Sequence, residues 1–305
     1  MDGSRLRGIW LLGLMIAASL LPARLSAGGA AVVLSGNLSS YEEAAAGFRG
    51  AFDEAVKEYR LSSSGIDSAV LRDIRFQSPK IILAVGSQAA VEAAHSFPGV
   101  PVIYCMVVNP DRQGLLNKDN VYGIGFSIEE SELFAKFREA LPNLKRLGLI
   151  VDRHRDREWI ERIAGLGRKA GMEIVVERAG SKTEVPNAMR SLSGRMDAFW
   201  MTTDSSVSNK FAFDTVSDFC LKSRIPLLVP VESLVAAGGL MSVTSGAGSI
   251  GAQAASLARE LLDGKRPRES LARPAKIDVT VNLETARKIG ATISDPILRN
   301  AAVVR

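Results

Sequence analysis

The chain has 305 residues, 47% hydrophobic and 23% charged, a composition that supports two ordinary domains with real cores and excludes a disordered chain. The net charge of +5 falls to +3 once Arg5, Arg7, Arg24 and Asp2 of a basic leader are set aside, and no basic run carries interleaved aromatics, so a nucleic-acid partner is not expected. Cys105, Cys220, His95 and His154 stand apart in the sequence; they offer no metal-ligand spacing, no cofactor is expected, and both cysteines read as buried free thiols.

In chain order, the leader comes first. Arg5 and Arg7 precede the uncharged run GIWLLGLMIAASLL, Pro22 breaks it, and the small residues of LSAGGA follow. This order predicts a secretory signal peptide over residues 1–27. The run is shorter than the roughly 20 residues that cross a bilayer, although an uncleaved anchor is the competing reading. No cysteine lies near the cleavage point, so a lipid anchor is not expected. The predicted location is the periplasm, with the membrane reached only through a partner.

Strands and helices then alternate. AVVLSG (31–36) is a strand, and YEEAAAGFRGAFDEAVKEY (41–59) has the spacing of a helix, capped by Ser39 or Ser40. IILAV (81–85) and PVIYCMVV (101–108) are strands flanking the helix SQAAVEAAH. The second half repeats the rhythm: helix 131–142, strand 146–152, helix 157–171, strand 172–179, helix 185–195, strand 198–203, helix 207–223, strand 226–230, an extended segment 239–245, helix 249–265 and strand 276–283. Apolar strands separated by helices imply parallel sheets covered on both faces. Small ligands collect at the carboxyl ends of such strands.

Several of these segments in order resemble a known family: AVGSQAAVEA, PVIYCMVVNP, NVYGIGFSIEESELFAKFREALPNLKRLGLIVD, MDAFWMTTDSSV, RIPLLVPVESLVAAGGLMSV, GAQAASLARELLDGKRPRE and VTVNLETARKIGATIS. Together they are similar to the ABC-transporter substrate-binding proteins related to tryptophan/tyrosine uptake receptors. The resemblance implies a type I periplasmic-binding-protein fold, two Rossmann-like three-layer α/β lobes joined by a hinge. Residues 28–123 plus 245–270 would form one lobe and 124–244 plus 271–305 the other. It implies capture of a small polar ligand, an amino acid or related metabolite, and its delivery to the transmembrane subunit of an ABC permease.

By the same resemblance, the ligand-binding positions are Ser35, Asn37, Ser39, Ser40, Tyr41, Gly86, Ser87, Gln88, Asn109, Asp204, Ser205, Glu232, Thr244 and Ser245. Each has an ordinary reading beside the functional one: Ser87 as a helix cap, Asp204 and Glu232 as residues opening helices, Tyr41 as a packing side chain. The chain departs from the family pattern in two places. Only about 20 residues separate Tyr59 from Ile81 where a strand, loop and helix are expected, and the loop DRHRDREW is unusually charged; Arg153 within it reads as ligand contact or solvated surface.

No catalytic residues are expected. VGSQA lacks the second glycine of a nucleophile elbow, and GIGFSI lacks the third glycine of a dinucleotide fingerprint. SGAGSIG (245–251) reads either as an anion cradle ahead of a helix or as a flexible crossover. The alternatives kept open are a ligand-sensing receptor of the same fold that reports to a membrane signalling protein, and an exported hydrolase using Ser87.

Overall fold

A computed structural model describes residues 28–62, 67–116, 118–203 and 209–304. The predicted signal peptide over 1–27, and Asp204 and Ser205, lie outside the described residues. The elements of the first half are β1 (Ala30–Leu34), α1 (Ser39–Ala51), β2 (Val56–Arg60), α2 (Ser68–Gln77), β3 (Ile81–Val85), α3 (Ser87–Ser96), β4 (Val102–Cys105) and β5 (Val121–Ile124). Then come α4 (Glu130–Ala140), β6 (Arg146–Asp152), α5 (Arg157–Lys169), β7 (Glu173–Ala179), α6 (Val185–Leu192), β8 (Ala198–Trp200), α7 (Lys210–Ser223), β9 (Leu227–Val229), α8 (Glu232–Ala236) and β10 (Met241–Thr244). The chain closes with α9 (Ala247–Leu262), β11 (Leu271–Ala272), β12 (Asp278–Asn282), α10 (Leu283–Ile289), α11 (Asp295–Asn300) and β13 (Ala302–Val304).

The strands form two separate sheets. The first has the order β11-β5-β4-β3-β1-β2 and the second β13-β12-β10-β9-β8-β6-β7. Every pair in the first sheet is parallel, as the apolar strand runs predict. The second sheet departs at one place: β12 runs antiparallel to β10, with Asp278 opposite Thr244. This follows from connectivity, because the chain returns to the second sheet at its carboxyl edge and enters β12 from that side.

Helices cover both faces of each sheet, giving four buried layers. In the first sheet, Val32, Leu34, Leu83 and Val85 pack under α1 and α9, while Val33, Ile82 and Ala84 pack under α2 and α3. The period of two along each strand divides the side chains between the faces. Leu271–Ala272 still pairs with β5, so the last passage between sheets begins after Ala272 rather than at 270.

Two readings of the sequence are corrected. The predicted helix over 41–59 stops at Ala51; Phe52 turns extended, and Val56–Arg60 is an edge strand beside β1. The spacing of Phe52, Val56 and Tyr59 fits either periodicity, and an edge strand tolerates Lys57, Glu58 and Arg60. The shortage of residues between Tyr59 and Ile81 disappears, because the second strand is already complete at Arg60 and α2 fits in what remains. Within the glycine-rich stretch 245–251 only Ser245 and Gly246 cross between the sheets; from Ala247 onward it is helix α9. A Cβ on Gly251 would lie 1.9 Å from the Ala44 carbonyl oxygen, and one on Gly47 would lie 2.0 Å from that of Gly248. These glycines let α1 and α9 pack backbone against backbone.

Candidate ligand-binding site

Three short segments join the sheets, and all three run between carboxyl edges. Gly125–Glu129 leaves the carboxyl end of β5 and enters α4, which packs on the second sheet through Phe134 and Phe137. Ser245–Gly246 leaves the carboxyl end of β10 and enters α9, which packs on the first sheet. Arg273–Ile277 leaves the carboxyl end of β11 and reaches Asp278, opposite Thr244 at the carboxyl edge of the second sheet. Extended chain covers at most about 3.6 Å per residue, so crossings this short hold the two edges within about 10–20 Å of each other. The carboxyl ends of β1, β3, β4 and β5 therefore face those of β8, β9 and β10.

The first sheet's edge holds most of the predicted residues. The Ser35 hydroxyl accepts a hydrogen bond from the Ala89 N–H at 2.9 Å, so it caps α3 from the neighbouring loop. Gly86, the residue before α3, sits at φ +91°, and a Cβ there would lie 2.6 Å from the Ser35 Oγ and 2.8 Å from the Tyr41 ring. Only glycine lets this turn nest under those two side chains. Ser87 and Gln88 open α3 and are half-buried.

Asn37 is exposed, and its carbonyl oxygen accepts from Arg60 Nη1 at 3.0 Å. Arg60 also pairs with Glu42 in the first turn of α1; the hydrogen bond from Arg60, against a smaller opposing effect of burial, holds the Glu42 carboxyl below its ordinary range. Ser39 and Ser40 are the first two residues of α1 rather than its cap, which is Leu38 with no side-chain bond. Asn109 takes a left-handed conformation at φ +50°, as Met106 does at φ +55°; asparagine tolerates it through its short polar side chain.

On the second sheet's edge, Thr244 ends β10, and the Ser245 hydroxyl is buried without a partner among the described residues. Glu232 is exposed in the first turn of α8, whose cap residue is Val231. The charged loop after β6 is engaged by neighbouring elements of the same sheet's layer. Arg153 donates to Glu184 at 2.6 Å, Arg178 donates to the Arg153 and Arg155 carbonyls, and Arg155 lies 4.7 Å over the Trp159 ring. That is the solvated-surface arrangement of the two considered for Arg153.

Met106 and Phe126, which the sequence did not single out, join Tyr41, which it did, in completing the first edge. Tyr41, Met106 and Phe126 are half-buried and pack on the core under α1 and α9, each just beyond or beside a strand's carboxyl end. Leu38 and Val108 are 58% exposed on the same rim, and Phe211 and Val231, 48% and 45% exposed, open α7 and precede α8 on the facing edge. With the Ser35 hydroxyl and the Asn37 amide oxygen already engaged, this wall is more apolar than its serines suggest. The signal was present as single apolar residues immediately past strand ends, which carry no periodicity.

Both cysteines are free and buried, and burial pushes each thiol up to about 12. Ser87 and His95 stand near opposite ends of α3, eight residues or about 12 Å along the axis, too far for a hydrogen-bonded nucleophile and base. Among the described residues no group of three His, Cys, Asp or Glu side chains could hold a metal ion, and no helix is long and apolar enough to cross a membrane.

Comparison with known proteins agrees with this architecture. The sequence profile of the family described as "ABC transporter substrate binding protein" matches residues 53–305. A tyrosine-binding protein of Clostridioides difficile (strain R20291) is 24% identical over 200 residues, covering 63% of this chain and 57% of the relative; the match thus spans little more than half of that protein. Among solved structures, the ligand-free, open form of a substrate-binding protein with adhesive properties from Clostridium difficile superposes with a TM-score of 0.75 at 17% identity, covering 91% of this chain and 99% of that one. An ABC domain from Streptococcus pneumonia in complex with L-Trp gives 0.57 at 21% identity, covering 92% and 100%.

Proposed function

Because the chain belongs to the ABC transporter substrate binding protein family, we propose that it is exported to the periplasm, captures a small solute between its two lobes and hands that solute to the transmembrane subunit of an ABC permease. The observation that carries this reading is the trio of short crossings between carboxyl edges. Such edges are where open α/β sheets receive ligands, and a crevice between two of them loses its water when the lobes close.

The solute we propose is an amino acid with an aromatic or large apolar side chain. Tyr41, Met106 and Phe126 offer an apolar bed, and the amides of Ser87 and Gln88 head α3, whose positive end suits a carboxylate. The tyrosine-binding relative and the L-Trp complex support the same class. Gly86, Ser87, Gln88 and Tyr41 remain our ligand-contacting residues on one lobe, with Asn109 at its rim. Asp204, Ser205, Glu232, Thr244 and Ser245 are proposed to close from the other. Ser35 and Asn37 are proposed to shape the loop after β1, and Ser39 and Ser40 to flank it from the start of α1.

A thermal-shift comparison of L-tyrosine, L-tryptophan, a neutral sugar and a nucleoside on residues 28–305 tests this. Ligand at 100 times its Kd stabilises the native form by about 2.7 kcal/mol, so a rise in Tm with one of the amino acids alone is expected. Phe126→Ala should then weaken binding about tenfold, from lost apolar burial. A sugar or nucleoside that binds while both amino acids fail would overturn the substrate class. Turnover of any bound solute would overturn the transport reading.

A further inference from the structure

Both sides of every crossing are fastened, and the fastenings leave at most one residue between them. In the first crossing, Phe126 packs on the core of the first sheet and Ile128 on the core of the second. Exposed Ser127 lies between. In the third crossing, the Gln253 side chain of α9 donates from Nε2 to the Arg273 carbonyl at 2.8 Å and accepts at Oε1 from the Ala275 N–H at 2.8 Å. This binds the segment to the first sheet's helix layer up to Ala275. Ile277 packs on the core of the second sheet, and exposed Lys276 lies between.

The second crossing is tighter still. The Gly246 N–H donates to Asp278 Oδ2 at 3.1 Å, tying it to the second sheet, while the next residue, Ala247, is buried in the core of the first. Gly246 itself is the joint. A Cβ on Gly246 would lie 2.9 Å from the same Asp278 oxygen, so any side chain there must displace the carboxylate. The crossings are also bound to one another: the Gly125 N–H donates to the Ala272 carbonyl at 2.9 Å, and Thr244 faces Asp278 in the β10–β12 pair.

We propose that rotation of the lobes is confined to the backbone of Ser127, Gly246 and Lys276, and that Gln253 and Asp278 are the positioning residues that confine it. Gln253 holds the third crossing to one lobe and Asp278 holds the second crossing to the other. Remove either and a one-residue joint becomes a longer slack segment, so the unliganded protein samples more lobe orientations. The Lys276–Asp278 ion pair, 2.8 Å long and exposed, is not required, since exposed pairs hold their geometry weakly. The inference rests on the two-lobe reading but not on the identity of the solute.

The test is a pulsed electron-spin distance measurement on the unliganded protein, with labels at Arg72→Cys on α2 and Lys222→Cys on α7. The native cysteines are buried, so the label goes to the introduced sites. Gln253→Ala, Asp278→Ala and Gly246→Ala should each widen the distance distribution while retaining a cooperative melt. Asp278→Asn keeps an acceptor for Gly246 and should keep the parent width, as should Lys276→Ala. Folded Gln253→Ala and Asp278→Ala proteins with the parent width would overturn the proposal, and so would equal widening by Asp278→Asn and Lys276→Ala. Because no ligand is added, failure to find a solute leaves this outcome readable on its own.

Discussion

Asp197 shows how one carboxylate fixes the entry to a sheet. Its Oδ2 accepts from the backbone N–H groups of Lys145 and Arg146 at 3.1 and 2.8 Å, and its Oδ1 accepts from the Arg146 guanidinium at 2.8 and 3.2 Å. Burial pushes its carboxyl up, but the Arg146 side chain and the two backbone donors outweigh that and hold it below the ordinary range. A depressed carboxyl contributes stability above the unfolded-state value, near 4, and loses it as pH falls through the folded value. Asp197→Ala should therefore cost about 2 kcal/mol at neutral pH and less in acid. Urea midpoints at pH 7 and about pH 3 check this; an equal loss at both would contradict it. Ser35→Ala should cost about 1 kcal/mol through the lost cap on α3, read by the same melts. The residue types at the carboxyl edges were legible in the sequence, but their engagements were not. Nothing local predicts that Ser35 serves a helix 54 residues on or that Arg60 takes up Asn37.

At the scale of elements, the α1–α9 contact is the most demanding packing in the first lobe. Gly251→Leu drives a side chain into the Ala44 carbonyl and should cost about 3 kcal/mol or more, at the upper end for overpacking. Gly50, on the same helix α1, has open space where a methyl group would sit, with nothing within 4 Å. Gly50→Ala should stabilise by about 0.5–1 kcal/mol, since glycine is the poorer helix former. Chemical denaturation of both variants reads the contrast, and a destabilised Gly50→Ala would contradict the packing described. The strand–helix rhythm was legible because each buried strand is a short apolar run bounded by polar or small residues. The second strand was not, because an edge strand pairs on one side only and half its residues meet water. The role of the 245–251 glycines was also hidden, since glycine spacing means flexibility or close approach depending on a partner helix far away in the chain.

At the scale of the molecule, two sheets with facing carboxyl edges follow from where three crossings leave and enter them. The sequence carries the strand–helix alternation of both halves, but not the full number of strands, since β2, β5, β11 and β13 were not read from it. It does not carry the antiparallel entry of β12 or the pairing of Leu271–Ala272, which depend on contacts between distant segments. Closure of a crevice on a solute requires that the solute bind the closed arrangement more tightly than the open one. The direct measurement is small-angle X-ray scattering of residues 28–305 with and without whichever of L-tyrosine or L-tryptophan raises Tm. The account predicts a smaller radius of gyration when the amino acid is bound, and Phe126→Ala should require more ligand to reach it. A saturated protein whose radius of gyration is unchanged would contradict the claim that the lobes close on their ligand.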